Sequence, residues 1–165
     1  MKILCELTDK EVLGTEGYSH AQPRLTARAI VKKEDGLFAV MYAEKFNLYS
    51  LPGGGIEGDE DKISALRREI LEETGCTCNR IEELGCVLEN RAHADYTQQS
   101  FYYVVTTSGA LQETELTEDE RNNRTQVRWY TLDEVYAKIA SPVHDTNQRK
   151  FLQARDVVAL RAYMK

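Results

Sequence analysis

Strand-like and helix-like stretches alternate along the 165 residues, which predicts a layered α/β fold. Three observations carry that expectation. Short apolar runs recur at 25–31, 37–42, 81–88, 100–107 and 126–130. Helical spacing of apolar residues, at Ile63, Leu66 and Ile70, separates the second run from the third. No repeat, low-complexity tract or Pro/Gly/Ser-rich linker divides the chain, whose prolines are only Pro23, Pro52 and Pro142. One domain is therefore expected over residues 1–165, with a core at 25–140 and a terminal helix at 145–163.

The elements follow in order. Residues 1–23 alternate weakly and end at Gln22-Pro23, the pattern of an arm or an added strand. Leu25 to Val31 and Leu37 to Tyr42 flank Glu34-Asp35-Gly36, a hairpin signature. Pro52-Gly53-Gly54-Gly55 then interrupts any regular element and lets backbone approach something closely. A helix is expected next, capped by Asp59, with Glu57, Glu60 and Asp61 at the positive end of its dipole and Gly75 as its stop. The run 100–107 is aromatic in Phe101-Tyr102-Tyr103, as strands favour. Thr131-Leu132-Asp133-Glu134 opens a short helix. A last amphipathic helix starts near Asp145 or Thr146, with Phe151, Ala154 and Val158 on its buried face.

Composition narrows the function. A domain of this length buries about two-thirds of the surface its unfolded chain exposes, so its stability demands no disulfide or structural metal. Cys5, Cys76, Cys78 and Cys86 include no C-x-x-C pair and no histidine at finger spacing, so reduced and mostly buried thiols are expected and zinc is not. No apolar run approaches the ~20 residues that span a bilayer, and Glu6 and Asp9 stand where a signal peptide would be apolar. The expected location is cytoplasmic, with no membrane partner. The net charge of −6, from 21 basic and 27 acidic residues, disfavours nonspecific nucleic-acid binding, which relies on Lys and Arg neutralising phosphates. A phosphate-bearing partner would need a cation to meet it.

The acidic residues of the central helix sit where stability alone would not place them. Glu69, Glu72 and Glu73 are spaced i, i+3 and i+4 and share one face. Like charges at these spacings cost a helix roughly 0.2 to 0.5 kcal/mol per pair, and in its last turns they oppose the negative end of the macrodipole. The apolar stripe lies roughly 60 to 120 degrees around from Glu69, so the acidic face borders the protein body. A hard divalent cation such as magnesium or manganese relieves the repulsion, because it takes carboxylate oxygens together with substrate phosphates.

From Gly54 to Cys76 the order is glycine, five residues, Glu60, seven residues, Arg68-Glu69-Ile70, one residue, Glu72-Glu73, one residue, Gly75 and Cys76. This resembles the Nudix box, and Leu51-Pro52-Gly53-Gly54-Gly55 and Val127-Arg128-Trp129-Tyr130 resemble its flanks. Cys76 departs from the aliphatic residue usual there and should pack as a small hydrophobe. The resemblance implies a Nudix-type α/β/α sandwich with a mixed β-sheet and a metal-dependent hydrolase of the MutT-like family, cleaving a diphosphate linkage in a small nucleoside diphosphate-linked substrate. By position it implies Glu72 and Glu73 as ligands of Mg2+ or Mn2+, with the Gly54 or Gly55 carbonyl nearby. It implies Glu69 as a further ligand or as the base that deprotonates the attacking water. Arg68 would orient these carboxylates, and Glu60 would brace loop to helix.

Outside the box, Glu118 and Glu120 are candidates for a base, a further ligand or a substrate contact, in an acidic loop before Trp129. Arg28 is a candidate for meeting substrate phosphate. Tyr96, Tyr102 and Tyr103 are candidates for stacking a base, although alternation should bury one of the adjacent pair. His93 is a lone loop histidine and stays outside the catalytic set. Two other readings remain: a noncatalytic nucleotide-binding or regulatory module, disfavoured because all three box glutamates are present, and an RNA 5′-end pyrophosphohydrolase, which basic residues such as Arg121 and Arg124 keep open. Certain ADP-ribose-cleaving relatives carry a proline soon after the box, and this chain does not. Homodimers are common in the family, and the N-terminal arm could contribute to one.

Overall fold

The computed structural model describes residues 1–165. One mixed sheet organises them. Strand β1 (Ile3–Thr8) leads into helix α1 (Asp9–Leu13); then follow β2 (Arg24–Lys33), β3 (Phe38–Ala43), β4 (Leu48–Ser50), β5 (Gly53–Gly55), α2 (Lys62–Thr74), β6 (Arg80–Arg91), β7 (Tyr96–Thr107), α3 (Glu118–Asn122), β8 (Thr125–Tyr130), α4 (Leu132–Ala140) and α5 (Asn147–Tyr163). The order is β1-β6-β7-β2-β3-β4, with β5 added to β2 and β8 to β3. β1 joins β6, and β2 joins β7, in parallel; the other pairs are antiparallel. The N-terminal segment thus supplies an outer strand.

Each face of the sheet carries its own core. Ala27, Ala29, Phe101, Tyr103 and Val105 pack with Leu66 and Ile70 of α2, while Ile30, Val40, Val87 and Tyr102 pack with Val135 and Ile139 of α4 and Phe151, Ala159 and Leu160 of α5. The layers are therefore α/β/α. Because both faces are covered, the alternation that was expected to bury one of Tyr102 and Tyr103 buries both, in different cores. Cys76 is fully buried, and all four cysteines are free thiols.

Several local expectations shift. Asp61, not Asp59, caps α2: its Oδ1 accepts from the N–H groups of Ile63 (2.8 Å) and Ser64 (2.9 Å), because Gly58 and Asp59 belong to the turn that precedes the helix. Ile63 is 36% exposed; it borders an open hollow with Leu25, Ile56 and Tyr103, and the buried stripe is Ala65, Leu66, Ile70, Glu73 and Thr74. Glu118–Asn122 is a short helix rather than a loop, opened by a capping box between Thr117 and Glu120. On α5, Ala154 and Val158 are only half-buried, and the enclosed positions beside Phe151 are Arg155, Asp156, Ala159 and Leu160. A buried ion pair therefore sits where apolar spacing alone was counted.

Candidate active site

The triple glycine forms β5, laid antiparallel against β2 with Thr26 opposite Gly55, Ala27 opposite Gly54 and Arg28 opposite Gly53. This strand brings backbone against the acidic face of α2. A Cβ on Gly54 would lie 2.5 Å from the carboxyl carbon and both oxygens of Glu69, so only glycine lets that carboxylate rest on the strand. The Gly53 N–H donates to Glu73 Oε2 at 2.6 Å. Gly75 ends α2 in the left-handed region, φ 70°, where a Cβ would meet the Gln112 carbonyl.

Arg68 binds the rest together. Its guanidinium donates to Glu60 through Nη2 (2.6 Å) and Nε (3.3 Å), to the Gly55 carbonyl (2.9 Å), to Glu69 Oε1 (2.8 Å) and to Glu72 Oε2 (3.4 Å). Glu60 also accepts from the Glu57 N–H at 2.8 Å, tying the loop after β5 to the helix. These bonds hold the Glu60 carboxyl below its ordinary range.

A cleft of about 540 Å³ opens over β5. Glu69, Glu73 and Glu120 line it together with Gly53–Gly55, and Arg24, Arg28 and Arg155 line it as well. Burial pushes the Glu69 carboxyl up, the Glu72 charge adds to this, and Arg68 and Arg28 oppose it. Burial raises Glu73 well above the carboxylate range; Gly53 and Arg28 pull it back, while Glu69 and Glu120 push further. Burial lowers the Arg28 pKa, and the Arg155 charge lowers it again. The cleft thus carries crowded charges of both signs.

Not every candidate arrives there. Glu72 turns toward Arg68 and is not among the cleft residues, and no three acidic, histidine or cysteine side chains converge tightly enough to enclose an ion unaided. Glu118 is exposed outside the cleft, whereas Glu120, two residues on, lines it. His93 is tied to Asp9, with Nδ1 at 2.8 Å from Oδ1 and its N–H donating to Oδ2 at 2.7 Å. The Tyr96 hydroxyl donates to Gln98 (2.6 Å), the Tyr102 hydroxyl to Asp156, and no aromatic ring lines the cleft. Sequence reasoning missed Arg24 and Arg155. Arg24 stands next to a proline, and Arg155 lies on a helix whose charged residues read as solvent-facing.

An acidic helix buttressed by a glycine strand inside an α/β/α sandwich defines a recognisable class of proteins. The NUDIX domain family matches residues 22–154. Among curated proteins, diphosphoinositol polyphosphate phosphohydrolase 2 of Rattus norvegicus is 26% identical over 131 residues, covering 78% of this chain and 68% of that protein. Among solved structures, a NUDIX hydrolase from Nitrosomonas europaea superposes with a TM-score of 0.62 at 21% identity, covering 87% of this chain and 89% of that one. A MutT NUDIX hydrolase from Burkholderia pseudomallei gives 0.57 at 23% identity, covering 82% and 98%. The chain belongs to the Nudix family of pyrophosphohydrolases, whose members use divalent metal ions.

Proposed function

We propose that this cleft hydrolyses a phosphoanhydride bond in a small nucleoside diphosphate-linked substrate with the help of Mg2+ or Mn2+. The observation that carries the reading is the shared lining: Glu69 and Glu73 on one helix, the Gly53–Gly55 backbone beneath them, and three arginines in the same cavity. Carboxylate and carbonyl oxygens are the donor set a hard cation takes, and the crowded Glu69 and Glu73 charges are those a cation would relieve. Glu69, Glu73 and the Gly54 carbonyl would hold it, with Glu72 drawn in from Arg68. When bound, the cation neutralises phosphate oxygens and acidifies water.

The chain's own residues supply positioning and proton transfer. Gly53 fixes one Glu73 oxygen and leaves the other free for the cleft. Arg68 holds Glu69 through one oxygen, which leaves the second either to complete the ligands of the cation or to take the proton of an attacking water. Glu120, half-buried in the lining of the cleft, is the alternative base. Arg28 faces the substrate phosphates and offsets their charge.

A second substrate reading rests on the same lining. With three arginines and no aromatic ring, the cleft recognises charge more readily than a stacked base. The rat relative is named for a diphosphoinositol polyphosphate, a phosphate-dense molecule without a base. A product-chromatography screen with magnesium over nucleoside triphosphates, nucleotide sugars, dinucleoside polyphosphates, coenzyme A and inositol pyrophosphates tests both readings. Cleavage of a nucleotide supports the first, cleavage of inositol pyrophosphates alone supports the second, and inertness toward all of them refutes both.

A further inference from the structure

Arg155 is the least expected residue in the cleft. Its side chain is 1% exposed, yet of its five N–H donors only the one on Nε finds an acceptor, Asp156 Oδ1 at 3.0 Å. Neither terminal nitrogen has a hydrogen-bond partner. The nearest other acid, Glu89, stands at 3.9 Å, and its oxygens already accept from Arg91 (2.6 Å) and Gln98 (2.7 Å). Asp156 is likewise engaged, by the Leu51 N–H at 2.8 Å and by the Tyr102 hydroxyl. The local acids therefore anchor Arg155 without saturating it. Arg28 repeats the pattern, for its Nε is enclosed and unpartnered while Nη1 donates to the Leu51 carbonyl at 3.3 Å.

Two buried cations whose enclosed donors no protein acceptor meets line the same cleft as the carboxylates, and the Arg155 charge acts against that of Arg28. Leaving buried donors unmet is costly, because the desolvation of each group goes uncompensated. An anion drawn to this end of the cleft would offset both charges and, with a small shift of the side chains, meet the unpartnered donors. Planar forks of this kind match the oxygens of a phosphoryl group.

From this we infer that Arg155, with Arg28, forms a phosphoryl subsite for a phosphate that is not attacked, so that the enzyme selects diphosphates bearing a further anionic phosphate over those ending in a neutral group. The inference rests on the proposed hydrolysis for its place in catalysis, but the subsite itself is tested by binding.

The probe is pyrophosphate, titrated calorimetrically into the full chain with magnesium present and again with magnesium chelated. Binding should persist in the chelated arm and weaken at least about tenfold in Arg155→Lys, which keeps a cation beside Asp156 but loses the fork. In wild-type protein labelled with nitrogen-15, the Arg155 Nε signal should move during the same titration, a readout that needs no variant. In turnover, the preference for a terminally phosphorylated diphosphate over its neutral-capped analogue should fall at least about tenfold in Arg155→Lys, mainly through KM. Equal pyrophosphate affinity in both proteins, no binding with magnesium chelated, or an unmoved Arg155 signal overturns the subsite. Arg155-dependent binding without hydrolysis of any substrate keeps the subsite and defeats the hydrolase reading; hydrolysis with KM unchanged in Arg155→Lys does the reverse.

Discussion

Glu73 lies 2.6 Å from the backbone nitrogen of Gly53, so the acidic helix and the glycine strand are joined by a hydrogen bond that is itself buried. A carboxylate there is 8% exposed and shares its surroundings with Glu69 and Glu120. Its folded pKa is raised above the unfolded value, so without metal its contribution to stability is present below the ordinary carboxylate range and lost as pH rises through the raised value. The metal-free melting temperature of the wild type should therefore fall, relative to Glu73→Gln, as pH increases from acidic to mildly alkaline. Parallel melting curves for the two proteins across that range would contradict the burial argument.

Gly54→Ala places a methyl group into the Glu69 carboxylate. The carboxylate, as the free end of a flexible side chain, is the group that must move, so the variant should change little in stability while turnover drops at least about tenfold. Thermal melts and kcat measured together check this. A variant as active as the wild type would show that the close approach is dispensable.

Arg68 joins Glu60, Glu69, Glu72 and the Gly55 carbonyl through one planar guanidinium. Arg68→Lys keeps the charge but cannot span that set, so the metal should bind more weakly and kcat should fall several-fold while the overall fold persists. Manganese titration followed by electron paramagnetic resonance reads the first effect and steady-state kinetics the second. Unaltered manganese affinity would remove Arg68 from the positioning role.

Tyr102→Phe deletes the hydroxyl that donates to Asp156 and leaves the rest of the side chain in place. Losing one partner of a buried carboxylate should cost about 1 to 3 kcal/mol, measured by urea unfolding. Because Asp156 also anchors Arg155, the variant should bind pyrophosphate more weakly as well. A stability loss with unchanged pyrophosphate affinity would separate the two roles.

Much of this fold and site is legible in the sequence, and the reasons differ by element. The β2–β3 hairpin, α2 with its Gly75 stop, and β6 through β8 follow from alternation, helical spacing and turn residues, signals that act over a few positions. The box carboxylates stood out because their placement costs stability. Arg155 and Asp156 were hidden for the opposite reason: charged residues on an amphipathic helix normally face water, and only the polar groups of Leu51, Tyr102 and Glu89, all distant in sequence, make their burial tolerable. Tyr102 and Tyr103 misled because alternation separates faces without saying that both are covered. Asp61 displaced Asp59 as the cap because Gly58 and Asp59 remain in the turn.

The most direct test compares wild type and Glu73→Gln in magnesium-containing reactions over the substrate panel, with the products separated by chromatography. Wild-type protein should split at least one diphosphate into two phosphate-bearing products, and the variant should do so at least about 100-fold more slowly while remaining folded. Comparable rates from the two proteins would contradict the hydrolytic role assigned to the acidic helix.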